Sequence, residues 1–469
     1  VTVVHTLTPS DASSETVTRP PLKERILRAS SWTVFAYGCS LVLRLGSSLV
    51  ITRLLAPEAF GLIAIVSTIG MIASLLCDIG IRQAIVHSPH GDDPQMLNTA
   101  WTMQILRGVL IWAICSLIAL GLYVAGQAGW LAGASVYASP QLPAILAVAT
   151  LNVVLMGFES TKRFTADRRI EQKRVVLIEL AAMAIGIAVT IALSWWMRSV
   201  WAIVIGGAFG TLCSVLAGHV LLHGHANRLT WNREHARQIF GFGKWILASS
   251  LLYVLAANGD KLLLGVWVTP AILGCYAIGQ SLAQVLELAV GRVFTQVASP
   301  AFADVARHSP QRLREVYLRL RLPFDLIFIS AAGFLFAIGP MLVGFMYDAR
   351  YAEAGYILQL LSFTLVFARY GVSASAYLAL QAPHAQAVIN LVRVLAFFTV
   401  VPLAYNRFGI HGAYWAIALH GASIAPVVWW FDRRFGLASW RHELLTLSVW
   451  PLGWALGIAV VALLSGFAR

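Results

Sequence analysis

The chain reads as an all-α polytopic membrane protein, with about 12–14 transmembrane helices in two parallel six-helix bundles around a central cavity. Three observations predict this. Runs of about 20 apolar residues, each long enough to cross the ~30 Å hydrocarbon layer, recur along nearly the whole chain. Lys and Arg concentrate in alternate loops between those runs. A shift of 213 residues lays the first part of the chain on the second.

Composition sets the class. Hydrophobic residues make up 59% and charged residues 12%, against roughly 25% charged in ordinary soluble domains, and the mean hydropathy is +0.75. Helices are expected at 30–52, 60–86, 98–124, 142–164, 174–196, 200–222, 240–267, 271–298, 320–346, 355–380, 386–405, 410–431 and 444–467. They divide the chain into a disordered, Thr/Ser/Pro-rich cytoplasmic tail (1–21), an N-terminal bundle (22–239), a C-terminal bundle (240–431) and an extra C-terminal helix (432–469).

The net charge of +13 would suggest nucleic acid in a soluble protein, but the basic residues follow topology instead. With the N-terminus in the cytoplasm, the segments 22–28, 162–174, 223–239, 307–321 and 432–443 fall on one side and carry most of the charge. The other side has scattered residues such as Arg53, Arg198, Arg350 and Arg407. Cys39, Cys77, Cys115, Cys213 and Cys275 all lie in apolar runs without CxxC spacing, which argues against disulfides or a metal site.

The repeat places Trp32 on Trp245, Gly46 on Gly259, Pro57 on Pro270 and Gly61 on Gly274. Each proline opens a helix, where its missing N–H costs nothing. The offset spans six helices, an even number, so both copies share one orientation and are related by an axis along the membrane normal.

The segment ITRLLAPEAFGLIAIVSTIGMIASLLCDIGIRQAIV (51–86) resembles the first hairpin of polysaccharide-transport proteins in the MOP superfamily. So does DKLLLGVWVTPAILGCYAIGQSLAQVLELAVGRVFTQVASPAFADV (260–305), and the likeness is strongest over 27–325. The resemblance implies a MATE-like fold and a Wzx-type flippase in the bacterial cell inner membrane. It implies that undecaprenyl-pyrophosphate-linked oligosaccharide repeat units pass from the cytoplasmic to the periplasmic leaflet by alternating access. It also implies membrane lipids, a polymerase and glycosyltransferases as neighbours, and no cofactor. The alternative within the superfamily is a cation-coupled drug exporter.

Charge inside a membrane costs about 2.5–3.5 kcal/mol per group on insertion scales, so each such residue needs a partner or a wet cavity. Arg44 heads a polar stripe with Tyr37, Ser40, Ser47 and Ser48; a second stripe holds Ser67, Met71, Ser74, Asp78 and Arg82. Gln280, Gln284, Glu287 and Gly291 share a face beside Arg292, and Ser362, Arg369 and Ser373 share another. Arg44 and Arg369 lie near mid-depth, whereas Arg82, Arg107, Arg292 and Arg393 lie toward the cytoplasm. Given the family's substrate, Arg44, Arg82, Arg292, Arg369 and Arg393, with Gln280 and Gln284, are the expected pyrophosphate-binding set, because a guanidinium grips phosphate oxygens in pairs.

The competing reading is local ion pairing, strongest for Arg82 with Asp78 four residues earlier. Asp260 and Lys261 read as a hydrated interface near the outer end. Asp78, Glu287 and Asp325 are the candidate ion-coupling carboxylates, although static pairing of Glu287 with Arg292 serves equally. The segment 307–321, with Leu313, Val316, Tyr317 and Leu320 at helical spacing, reads as an interfacial amphipathic helix. Tryptophans such as Trp195 and Trp196 read as interfacial anchors, and the histidines near 223–239 as solvated.

An enzyme would need a sizeable outer loop with catalytic carboxylates, but the longest, 126–141, carries no charge. No catalytic residue and no metal ligand set is therefore expected. The major-facilitator loop signature is absent from HSPHGDDPQ (87–95), and a scaffold has no use for membrane arginines.

Overall fold

The computed structural model describes residues 22–76, 80–88, 91–169, 171–237, 239 and 258–467. The described chain is a succession of helices: α1 (Leu22–Leu54), α2 (Pro57–Leu76), α3 (Ile81–His87), α4 (Pro94–Gln127), α5 (Leu142–Gly157), α6 (Lys162–Arg169), α7 (Gln172–Met197) and α8 (Trp201–Leu221). After α9 (258–267) follow α10 (Pro270–His308), α11 (Leu313–Met346), α12 (Ala352–Leu361), α13 (Phe363–Ala368), α14 (Gly371–Ala379), α15 (Pro383–Leu419), α16 (Ala425–Arg434), α17 (Trp440–Leu447) and α18 (Trp450–Phe467). Local chemistry starts several of them. Pro94 and Pro270 each open a helix behind a capping side chain, Asp93 accepting from the Gln95 N–H at 3.0 Å and Thr269 from the Ile272 N–H at 3.5 Å.

Among the described residues, ten helical runs are long and apolar enough to cross a membrane, or eleven if the bent pair α5–α6 is one span. One of the ten, Pro383–Arg434, has 52 residues, more than twice the length a single crossing needs at ~1.5 Å per residue. It breaks at Gly409, whose φ of 65° and ψ of −154° leave the helix, so it supplies the two helices expected at 386–405 and 410–431. The helix expected at 240–267 lies outside the described residues except for 258–267.

Three other expected helices are interrupted. The one at 60–86 is broken at Gly80, whose φ is 63°, with residues 77–79 outside the described set. The one at 142–164 ends at Gly157 and turns by 61° into α6. The one at 355–380 is built from α12, α13 and α14. Hydropathy measures how apolar a run is, and cannot detect a bend inside it.

A large core cluster joins residues from both parts of the repeat, including Leu55, Leu62 and Ile65 with Leu264, Leu273 and Ile278. At its centre α2 and α10 touch backbone to backbone. A Cβ on Gly61 would stand 1.9 Å from the Pro270 carbonyl oxygen, and one on Gly274 would stand 1.9 Å from that of Pro57. Both positions therefore require glycine, and the two contacts are copies of each other under the 213-residue shift. Outward-facing Leu117, Val220 and Phe345 are 68%, 78% and 86% exposed, an apolar surface suited to lipid rather than water. Trp195 and Trp196 are exposed at the end of α7.

The expected interfacial helix at 307–321 is corrected. Leu313 to Arg321 are the first turns of the spanning helix α11, and Tyr317 is fully buried in protein, sharing hydrogen bonds with Ser373 at 2.7 Å and Asp432 at 3.0 Å. The histidines around 223–239 are not simply solvated either. His225 bonds to Asn98 at 3.1 Å and His235 pairs with Asp93 at 3.3 Å, pinning this loop to α4.

Candidate functional site

Along the polar face of α1, Tyr37, Ser40, Ser47 and Ser48 are half-buried. Arg44 is exposed, and no ion pair to it occurs among the described residues. Its neighbours turn their hydroxyls back on their own helix, Ser40 Oγ donating to the Tyr37 carbonyl at 2.9 Å and Ser47 Oγ to the Arg44 carbonyl at 3.0 Å. The guanidinium is thus the one charge this stretch of helix presents. On α2, Ser67 and Met71 are exposed, and Asn258 of α9 reaches the Met71 sulfur at 3.5 Å. Arg107 of α4 donates to the Ser74 carbonyl at 2.9 Å.

Arg82 is half of an ion pair, but not the expected one. Its guanidinium lies 2.6 Å from Asp167 of α6, while Asp78 lies outside the described residues. The bend that creates α6 brings this carboxylate to α3 across 85 residues of sequence, a distance that helical spacing cannot reveal.

On α10, Gln280 is committed to protein. Its amide and the Tyr276 hydroxyl, the latter at 2.5 Å, both donate to one carboxylate oxygen of Asp260. Asp260 is only 5% exposed, which overturns its reading as a hydrated interface residue; Lys261 stands 3.8 Å away. Gln284 and Glu287 are half-buried farther along the same helix. Glu287 interacts electrostatically with Arg393 of α15. The side chain of Arg292 lies outside the described set.

Arg369 does not line an open cleft. It is 2% exposed, with Nη1 3.0 Å from the Thr446 hydroxyl and 3.6 Å from Asp325, and Nη2 2.7 Å from Glu443. Arg321 lies in the same cluster, 3.0 Å from Asp325, 2.6 Å from Glu443 and 3.6 Å from Asp432. His442 closes it at 3.0 Å from Asp325. Two arginines and three carboxylates from α11, α13–α14, α16 and α17 thus offset one another's charge.

The expectation of Arg369 as a pyrophosphate ligand and of Asp325 as a coupling carboxylate is corrected accordingly, since both are consumed by this clamp. Only the Arg321–Asp325 step of four residues was visible in sequence; Asp432, His442 and Glu443 arrive from 74 to 122 positions beyond it or its neighbour Arg369. Among the described residues no group of His, Cys, Asp and Glu could hold a metal ion.

Comparisons with known proteins agree with this architecture. Residues 50–354 match the family described as "Polysaccharide biosynthesis protein". The lipopolysaccharide biosynthesis protein WzxC of Escherichia coli is 21% identical over 455 residues, covering 94% of this chain and 89% of that protein. The teichuronic acid biosynthesis protein TuaB of Bacillus subtilis is 19% identical over 349 residues, covering 73% and 68%. Among solved structures, the lipid II flippase MurJ in an inward closed conformation superimposes with a TM-score of 0.65 at 10% identity, over 94% of this chain and 100% of that one. An inward-facing MATE multidrug transporter of the MOP superfamily gives 0.62 at 13% identity, over 84% and 94%. These likenesses place the fold. With two-thirds of its length matched by the family and its helices arranged as in MOP-superfamily transporters, the chain belongs to the polysaccharide biosynthesis protein family.

Proposed function

We propose that this protein is a flippase that carries undecaprenyl-pyrophosphate-linked oligosaccharide repeat units from the cytoplasmic to the outer leaflet of a bacterial inner membrane. Transport is by alternating access between halves 22–239 and 240–431, with the N-terminus and the basic loops in the cytoplasm. The relatives named for lipopolysaccharide and teichuronic acid biosynthesis support a glycan substrate, and the MurJ likeness supports a fold able to move a lipid-linked one. Neighbouring polymerase and glycosyltransferases would consume and supply the substrate.

The observation that carries this reading is Arg44. An exposed arginine inside a spanning helix, with no ion pair among the described residues, is too costly to face lipid and therefore faces a wet cleft. A permanent cation in such a cleft recognises an anion. Arg393, and Arg292 by its place in the sequence, lie toward the cytoplasm and are proposed to extend the same basic path, with Arg82 at its mouth and Gln284 beside it. Glu287, facing Arg393, is the carboxylate best placed to couple transport to an ion.

The test is complementation of a flippase-deficient strain. Arg44→Ala should abolish polysaccharide export at unchanged membrane level, and Arg44→Lys should restore part of it, because Lys keeps the charge but not the paired hydrogen bonds. Full export by Arg44→Ala at normal level would sink the anion reading. Cysteine labelling of loop 126–141 from the cytoplasmic side alone would sink the orientation.

A further inference from the structure

Two short segments, exactly one repeat length apart, fold alike. The 3-10 turn Val136–Ala138 starts behind Ser135, whose Oγ accepts from the Tyr137 N–H at 3.1 Å. The 3-10 turn Ala349–Tyr351 starts behind Asp348, whose carboxylate accepts from the Arg350 N–H at 3.0 Å. Each segment then reaches across to the other part of the repeat. Ser135 Oγ donates to the Gly265 carbonyl at 2.9 Å and the Tyr137 hydroxyl to that of Leu262 at 3.1 Å, at the end of α9. Arg350 Nη2 donates to the carbonyls of Thr52 and Arg53, both at 3.2 Å, and the Tyr351 hydroxyl to that of Leu55 at 3.0 Å, at the end of α1.

One donor position and one acceptor position correspond under the 213-residue shift, Tyr137 with Arg350 and Thr52 with Gly265. Most of these carbonyls sit in a last helical turn and lack intrahelical partners, so each needs a donor from elsewhere. Thr52 cannot cap its own helix, because its hydroxyl is spent on the Ser48 carbonyl at 2.8 Å. The same two parts of the repeat also meet at the backbone contact of Pro57 and Gly61 with Gly274 and Pro270. If segment 135–137 moves with α1–α2 and segment 348–351 with α9–α10, the two parts of the repeat cannot separate at this end without breaking all of these hydrogen bonds together.

We propose that the segments 135–137 and 348–351 are a pair of exchanged latches, positioning elements that hold this end of the transporter shut and so set which face the cleft opens to. The two are chemically unequal. The first latch is neutral, through Ser135 and Tyr137. The second is ionic, through Arg350, whose Nε is anchored by Asp348 at 3.0 and 3.1 Å and whose charge faces the negative end of the α1 dipole. The ionic latch is the stronger of the two, because hydrogen bonds from charged donors exceed neutral ones.

The test is a distance measurement on the full chain in lipid nanodiscs, with the five native cysteines replaced by alanine and spin labels at Glu58→Cys and Ala271→Cys, equivalent positions beside the central contact. The parent should give one short distance. Arg350→Ala should raise the population of longer distances by about tenfold, the Ser135→Ala/Tyr137→Phe pair by less, and the combination by most. Arg350→Lys should fall between Arg350→Ala and the parent, which simple loss of packing would not produce. If a variant inserts poorly, Tyr351→Phe removes a single donor and should still lengthen the distribution. Unchanged distributions in Arg350→Ala and Tyr351→Phe would overturn the latch. The measurement uses no substrate, so its outcome stands apart from that of the export assay.

Discussion

Arg44 and Arg369 look equivalent in the sequence and are opposites in the fold. Each sits near the middle of an apolar run, in a serine-bearing stripe, with no acidic residue within one turn. Arg44 is exposed on α1 without an ion pair among the described residues, whereas Arg369 is 2% exposed and held by Asp325, Glu443 and Thr446. The membrane penalty on charge has two solutions, water or counter-charge; Arg369 takes the second, and the proposed cleft gives Arg44 the first. A wet arginine can exchange its partners for a passing anion. A clamped one has no open donor face to offer.

The largest expected effect separates them by stability. Arg369→Ala leaves Glu443 and Asp325 buried with less counter-charge and should destabilise the C-terminal helices by about 3–5 kcal/mol, read as lost thermal stability of the purified protein in detergent. Arg44→Ala should leave that stability unchanged while cutting export at least about tenfold, as for the loss of a charged substrate contact. Equal loss of stability in both variants would erase the distinction.

Arg350 is a third case, paired but on the surface, and pH sharpens it. The hydrogen bond from Arg350 holds the Asp348 carboxyl below its ordinary value. A carboxylate lowered in this way stabilises the closed end at pH values above the usual ~3.9 of Asp, and that contribution is lost only as pH falls through the lowered value. The Glu58/Ala271 label distances should therefore stay constant from pH 8 to 5 and lengthen only under stronger acid. A shift centred near neutrality would show that some other group controls the latch. The smallest effect is expected at Ser47, whose hydroxyl serves its own helix. Ser47→Ala should change export by less than about twofold, consistent with surface substitutions that remove no special contact.

The contrast also marks what the sequence can and cannot disclose. Apolar runs delimit most spans, because hydropathy and length are one-dimensional properties. The repeat was legible because Pro57, Gly61, Pro270 and Gly274 are needed wherever two backbones must touch, and they meet as the 213-residue shift implies. Partner choice was not legible. Asp167 reaches Arg82 only because the chain bends after Gly157, and Glu443 reaches Arg369 across 74 residues. Asp260 was misread for the same reason, its partners Tyr276 and Gln280 lying on the following helix. Helical spacing sees three or four residues ahead, and these contacts lie far beyond it.

The clamp around Arg321 and Arg369 has a consequence in time as well as in space. A ribosome adding about 5–20 residues per second needs roughly 4–15 seconds to travel the 74 residues from Arg369 to Glu443. Throughout that interval two arginines are already in the nascent bundle with an essential carboxylate still unmade. The clamp therefore stays incomplete until synthesis reaches α17 and supplies Glu443 to Arg321 and Arg369. Helices made early thus wait for their counter-charge on a residue made late.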